Sequence, residues 1–148
     1  MKESDDILDY AIGREQEAHD FYLALANRVT RPGMKELFSH FAGEELGHKR
    51  KLEGVKAGRL SAGSSKKVQD LKIAEYVVDV EESPNMELQD ALILAMKREK
   101  ASFRLYTDLS ASVEEPELQE LFLALAQEEA KHKLRFEVEY DNEVMTEN

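Results

Sequence analysis

Cysteine is absent from this 148-residue chain, and so is tryptophan. Without thiols there are no disulfides, iron–sulfur clusters, Cys-ligated zinc or thiol catalysis, so any bound metal must be held through nitrogen and oxygen. Glycine and proline are scarce, at 7 and 3 residues, which excludes collagen-like and low-complexity chains and suits a mostly helical one. No uncharged run is long enough to cross a membrane. The N-terminal stretch from Met1 to Asp6 is too charged to open a secretory signal, so a cytoplasmic location is expected. Basic residues are in the minority. The 20 Lys and Arg against 31 Asp and Glu leave a formal net charge of −11, which repels phosphate and argues against nucleic acid or a membrane as partner. What is present is enough apolar sequence, 42 % of the chain, to build the core of one domain.

That sequence is one unit written twice. Sliding the chain by 84 residues aligns 11–53 with 95–137 without a gap, and 16 of the 43 aligned positions are identical. Ala11, Arg14, Glu15 and Tyr22 fall on Ala95, Arg98, Glu99 and Tyr106. Glu44, Glu45, His48 and Lys49 fall on Glu128, Glu129, His132 and Lys133. In each copy apolar residues recur at alternating three- and four-residue steps, the mark of one helix face. Leu8, Ala11, Glu15, Ala18, Tyr22, Leu25 and Val29 form the first such face, and Met34, Phe38, Phe41, Glu45, His48, Leu52 and Val55 the second. Leu88 to Val113 and Leu118 to Phe136 repeat them, with Pro32 and Pro116 near the two joints. The expected fold is all-α: helical hairpins at 4–59 and 84–140 joined by one long crossover at 60–83, within a domain of residues 1–140. Ser83-Pro84 is a plausible helix start, and 141–148 reads as a flexible tail.

Glu15 and Glu99 sit inside apolar stripes, and Glu45-x-x-His48 and Glu129-x-x-His132 each put two polar side chains on one helix face. Buried carboxylates without partners are costly. Four of them with two imidazoles cannot satisfy one another, whereas two divalent cations would neutralise the four charges. Oxygen and imidazole without sulfur suit iron or manganese, with zinc possible. By position Glu45 and Glu129 are candidate bridges, Glu15 and Glu99 candidate terminal ligands, and His48 and His132 serve one metal each.

The residues around this set read more plainly. His19, aligned with Phe103, is expected to be a boundary histidine, and His40 to lie on the surface. Glu44 and Glu128 should point sideways, solvated or paired with a neighbouring helix. Gly43 and Gly47, each disfavoured by about 1 kcal/mol inside a helix, suggest a close approach of the crossover or of a second subunit.

The set Glu15 with Tyr22, Glu45-x-x-His48, Glu99 with Tyr106 and Glu129-x-x-His132 resembles rubrerythrin-type members of the ferritin-like superfamily, over nearly the whole chain. The resemblance implies a ferritin-like antiparallel four-helix bundle, two iron ions on the six ligands, and Tyr22 and Tyr106 hydrogen-bonded to ligand carboxylates. It implies an oxidoreductase acting on hydrogen peroxide or dioxygen, and a homodimer. Two departures stand out. Ser102 occupies the place of a further Glu three residues after Glu99, and the missing cysteines leave no rubredoxin iron centre. Electrons are therefore expected from an external donor protein. A ferritin-like ferroxidase, an oxygenase and a non-catalytic metal-binding module are the alternatives.

Overall fold

The structure, a computed structural model, describes residues 2–58 and 88–147, with side chains over 6–58 and 88–144. The expected crossover at 60–83 and the helix start at Ser83-Pro84 lie outside the described residues. Four helices account for the regular structure seen: α1 (Lys2–Arg28), α2 (Pro32–Gly58), α3 (Leu88–Ser112) and α4 (Pro116–Glu147).

The two hairpin joints are built alike. The Arg31 carbonyl accepts from the N–H groups of Met34 and Lys35 at 3.1 and 3.0 Å, and the Glu115 carbonyl from Leu118 and Gln119 at 3.1 and 3.0 Å. Each time a proline opens the helix at the position where an N–H would have no intrahelical partner. The ends of the preceding helices are closed from the facing helix: Lys35 Nζ donates to the Ala26 carbonyl at 2.9 Å, and Gln119 Nε2 to the Val113 carbonyl at 2.8 Å.

The core falls into two apolar clusters. One gathers Ala18, Tyr22 and Leu25 of α1, Phe38 and Phe41 of α2, Ala91 and Leu94 of α3, and Phe136 of α4. The other gathers Leu8 and Ala11, Leu52, Leu105 and Tyr106, and Phe122 and Leu125. The first cluster holds residues after Glu15 and Glu129 but before Glu45 and Glu99, and the second holds the reverse. The carboxylates therefore lie between the clusters at mid-bundle, and each helix runs antiparallel to its neighbours. It follows that α2 ends and α3 begins at opposite ends of the bundle, the arrangement a long connection requires.

The helix α4 continues through Glu147, over residues that the sequence reads as a tail. Glu143 is buried and ion-paired to both guanidinium Nη atoms of Arg31, one bond measuring 2.8 Å, so the charged last turns are pinned to the first joint. Gly43 and Gly47 are exposed, and a Cβ at either would meet no described residue within 4 Å; the crossover expected to approach them lies outside the described residues.

Candidate metal centre

All six polar residues singled out by their spacing are buried, and the bundle brings them together: Glu15, Glu45, Glu99 and Glu129 are at most 2 % exposed, His48 and His132 at most 9 %. Their ligand atoms fall into two groups within 4.8 Å: Glu15, Glu45, His48 and Glu129, and then Glu45, Glu99, Glu129 and His132. Glu45 and Glu129 belong to both groups, while each of the other four belongs to one. The two imidazoles stand 6.0 Å apart and nearly parallel, at 6°.

Nδ1 is the nitrogen that faces the cluster in each histidine. His48 Nδ1 is 3.1 Å from Glu45, 3.4 Å from Glu15 and 3.6 Å from Glu129. His132 Nδ1 is 3.4 Å from both Glu99 and Glu129 and 3.9 Å from Glu45. These approaches are close, but none has the alignment of a hydrogen bond. Glu15 Oε1, both oxygens of Glu45, Glu99 Oε1, Glu129 Oε1 and both Nδ1 atoms are buried without a hydrogen-bond partner. Native interiors leave few polar atoms in that condition. Here at least one on each of six residues converges on one place, a donor set of oxygen and imidazole that fits a pair of divalent cations.

The remaining oxygens of the unshared carboxylates are held across the bundle. Tyr22 Oη donates to Glu99 Oε2 and Tyr106 Oη to Glu15 Oε2, so each hairpin steadies a carboxylate of the other. Glu99 is thereby left with Oε1 facing His132 Nδ1 at 3.4 Å, whereas Glu15 meets His48 Nδ1 through the same Oε2 that Tyr106 holds. Both rings also pack in the core, Tyr22 stacked on Phe38 and Phe136, Tyr106 on Phe122.

The electrostatics are those of a site short of positive charge. Burial, then the charges of Glu129, Glu99 and Glu15, raises Glu45 well above the usual carboxylate range. Burial, with Glu99 and Glu15, raises Glu129 to about 8. Burial is also the main cause that raises Glu99. For His132 burial acts downward, yet the close carboxylates of Glu129 and Glu99 outweigh it and push the imidazole up to about 11. His48 shows the same contest, burial lowering and Glu15 and Glu129 raising it, with a net rise. Burial, followed by the nearby carboxylates, lifts both tyrosines well above their ordinary value.

The neighbouring residues sort themselves. His19 donates Nδ1–H to the Ala42 carbonyl at 2.7 Å and belongs to neither ligand group, so it is a boundary histidine. His40 is exposed, as its spacing implied. Ser102 is half-buried and in neither group. One contact escaped the sequence reading: Glu44 reaches across to α4, its Oε1 2.6 Å from His132 Nε2. Pairing with a neighbouring helix was foreseen for it, but not with this partner, because no spacing within α2 reveals which α4 residue lies opposite.

Comparison with known proteins agrees with the fold. A protein from Thermotoga maritima described as a candidate ferritin-like diiron-carboxylate protein superimposes with a TM-score of 0.72 at 21 % identity, over 92 % of this chain and 93 % of that one. A hypothetical protein from Pyrococcus furiosus superimposes with a TM-score of 0.68 at 24 % identity, over 91 % of this chain and 86 % of its own. At such identities the likeness establishes the fold. No curated protein matches the sequence. The profile of the rubrerythrin family matches residues 6–140, nearly the whole length of the described bundle. The chain therefore belongs to the rubrerythrin family.

Proposed function

We propose that the protein is a di-iron carboxylate oxidoreductase that reacts with hydrogen peroxide or dioxygen and draws electrons from an external donor protein. The observation that carries this reading is the convergence of unpartnered buried oxygens and Nδ1 atoms from six residues in two groups that share Glu45 and Glu129. A bound pair of iron ions would supply the two electrons that reduce such an oxidant. Glu45 and Glu129 would be shared between the two cations, Glu15 with His48 would complete one position, and Glu99 with His132 the other. Tyr22 and Tyr106 fix the unshared carboxylates by donating to Oε2. The two apolar clusters on either side keep water from competing for the same oxygens. No described helix is long and apolar enough to cross a membrane, and the reading takes the cytoplasm as its compartment. A homodimer is the expected assembly.

The test is metal analysis of protein purified from its own cells, then anaerobic ferrous loading and exposure to peroxide or air. About two metal ions per chain and a fast optical change with a reducible product support the proposal. Protein that binds no stoichiometric metal, or loaded protein inert to both oxidants, overturns it. Iron that is taken up, oxidised and released as a mineral would point to ferroxidation instead.

A further inference from the structure

Glu44 and Glu128 occupy equivalent places in the two hairpins, each one residue before a shared carboxylate, yet their side chains do different things. Glu44 Oε1 lies 2.6 Å from Nε2 of His132 on α4, while its Oε2 faces Nε2 of His40, one turn back on α2, at 3.4 Å. Glu128 instead turns along its own helix to Nζ of Lys131 at 3.4 Å. Every carboxylate near His48 approaches Nδ1, so among the described residues its Nε2 has no acid on it.

Two sequence differences account for this. Lys131 stands where the first hairpin has Gly47, and Ala124 where it has His40. A lysine three residues on draws Glu128 outward along the helix surface. A glycine at that place exerts no such pull on Glu44, and His40 occupies its second oxygen. The His132 ring is also closed on one side by Phe41, ring centroids 4.4 Å apart, where the other hairpin has Leu125.

Building on the two-metal reading above, we infer that Glu44 is a positioning residue for His132 and that it makes the two metal positions unequal, the one served by His132 being the tighter. By accepting the Nε2 proton, Glu44 fixes the tautomer that presents Nδ1 to the cluster and makes that nitrogen more basic. A ring fixed beforehand also loses less freedom when a cation arrives. His48, lacking this support, must settle its ring on binding.

The experiment is anaerobic calorimetric titration of apo-protein with Co(II), for the wild type and for Glu44→Ala, Glu44→Gln and Glu128→Ala. Zn(II)-loaded samples report the His132 Nε2–H resonance by NMR. Glu44 is 35 % exposed, so these changes leave the core intact. The wild type should bind in two resolved steps. E44A should weaken the tighter step about 10- to 100-fold, leave the other in place and lose the protected Nε2–H signal. E44Q, whose amide oxygen still accepts that proton, should restore both readouts to within a few fold, and E128A should change neither step. The inference is overturned by indistinguishable steps in the wild type, by an unchanged tighter step in E44A, by no rescue in E44Q, or by equal losses in E44A and E128A. Wild-type protein that binds no Co(II) would bring down the two-metal reading itself, a result distinct from all of these.

Discussion

The two hairpins of this bundle agree at the residues that meet in the carboxylate cluster and diverge around them. Inside, Glu15 matches Glu99, Tyr22 matches Tyr106, and the two Glu-x-x-His pairs overlie; the tyrosines even exchange partners reciprocally. Outside, Gly43, Gly47 and His40 give way to Gln127, Lys131 and Ala124, and the equivalent acids Glu44 and Glu128 take different partners. The difference teaches that a nearly symmetric cluster can be made asymmetric by residues that never enter it. A cation feels the surface pattern only through the imidazole that the surface holds.

The largest expected effect breaks the symmetry at its centre. Glu129→Ala or Glu45→Ala removes an acid common to both ligand groups and should abolish both metal positions, so metal content falls from about two per chain to near zero. Glu15→Ala and Glu99→Ala each touch one group and should leave about one metal. Elemental analysis of purified variants decides between these outcomes. One metal retained in E129A would mean that this carboxylate is not shared.

Next in size is the dependence of stability on pH, which should change sign with metal. Glu129 in the folded apo-protein lies near 8 against an ordinary 4.5, so between those values the unfolded chain ionises while the fold keeps the proton, and stability falls as pH rises. His132 is raised to about 11 from 6.5, so its favourable contribution, complete below 6.5, is likewise lost as pH climbs through 11. Both slopes point the same way. Apo-protein should melt lower at pH 8 than at pH 5, by on the order of 5 °C. Loaded protein should melt higher at pH 8, because binding displaces the protons. Thermal melts with and without chelator test this, and a flat apo profile would contradict the electrostatics of the cluster.

These effects rest on residues whose placement could be read from sequence, and the reason is periodicity. A carboxylate inside an apolar stripe of three- and four-residue steps has nowhere to point but the core, so Glu15, Glu45, Glu99 and Glu129 were legible before any coordinates. The four helices and their antiparallel hairpins followed from the same stripes and the two prolines. Glu44 and Glu143 were not legible in the same way. Glu44 lies off its stripe and Glu143 lies past the last apolar residue read on its own, and the partner of each, His132 or Arg31, lies 88 or 112 residues away on another element. Local pattern gives a helix its inward face but not the neighbour that meets its flank. The helical continuation past Tyr140 escaped for a related reason, since Glu143 is held there by a long-range ion pair.

A smaller effect asks whether the two carboxylate supports are equal. Tyr22→Phe and Tyr106→Phe keep the ring packing and delete one donor each, leaving Glu99 Oε2 or Glu15 Oε2 buried without its bond. Each should destabilise apo-protein by about 1–3 kcal/mol, measured by urea unfolding. If the asymmetry is confined to the histidines, the two losses should match. A clearly larger loss for one tyrosine would extend the inequality to the carboxylates.

The smallest effect concerns a place where a hairpin joint holds the other hairpin's helix end. Arg31, at the turn between α1 and α2, grips the buried Glu143 near the end of α4, and its equivalent in the second joint is Glu115, which has the opposite charge. Arg31→Ala would leave a carboxylate that is 5 % exposed without its cation. The end of α4 can relieve this by opening locally, as helix termini do, so the global transition should move by only about 1 kcal/mol or less. Hydrogen exchange is the sensitive readout. Amides of 141–147 should lose protection in Arg31→Ala while those around Glu129 and His132 keep theirs. Loss of protection at both places would show that the helix end and the carboxylate cluster open as one unit, and the asymmetry between joints would then reach the centre.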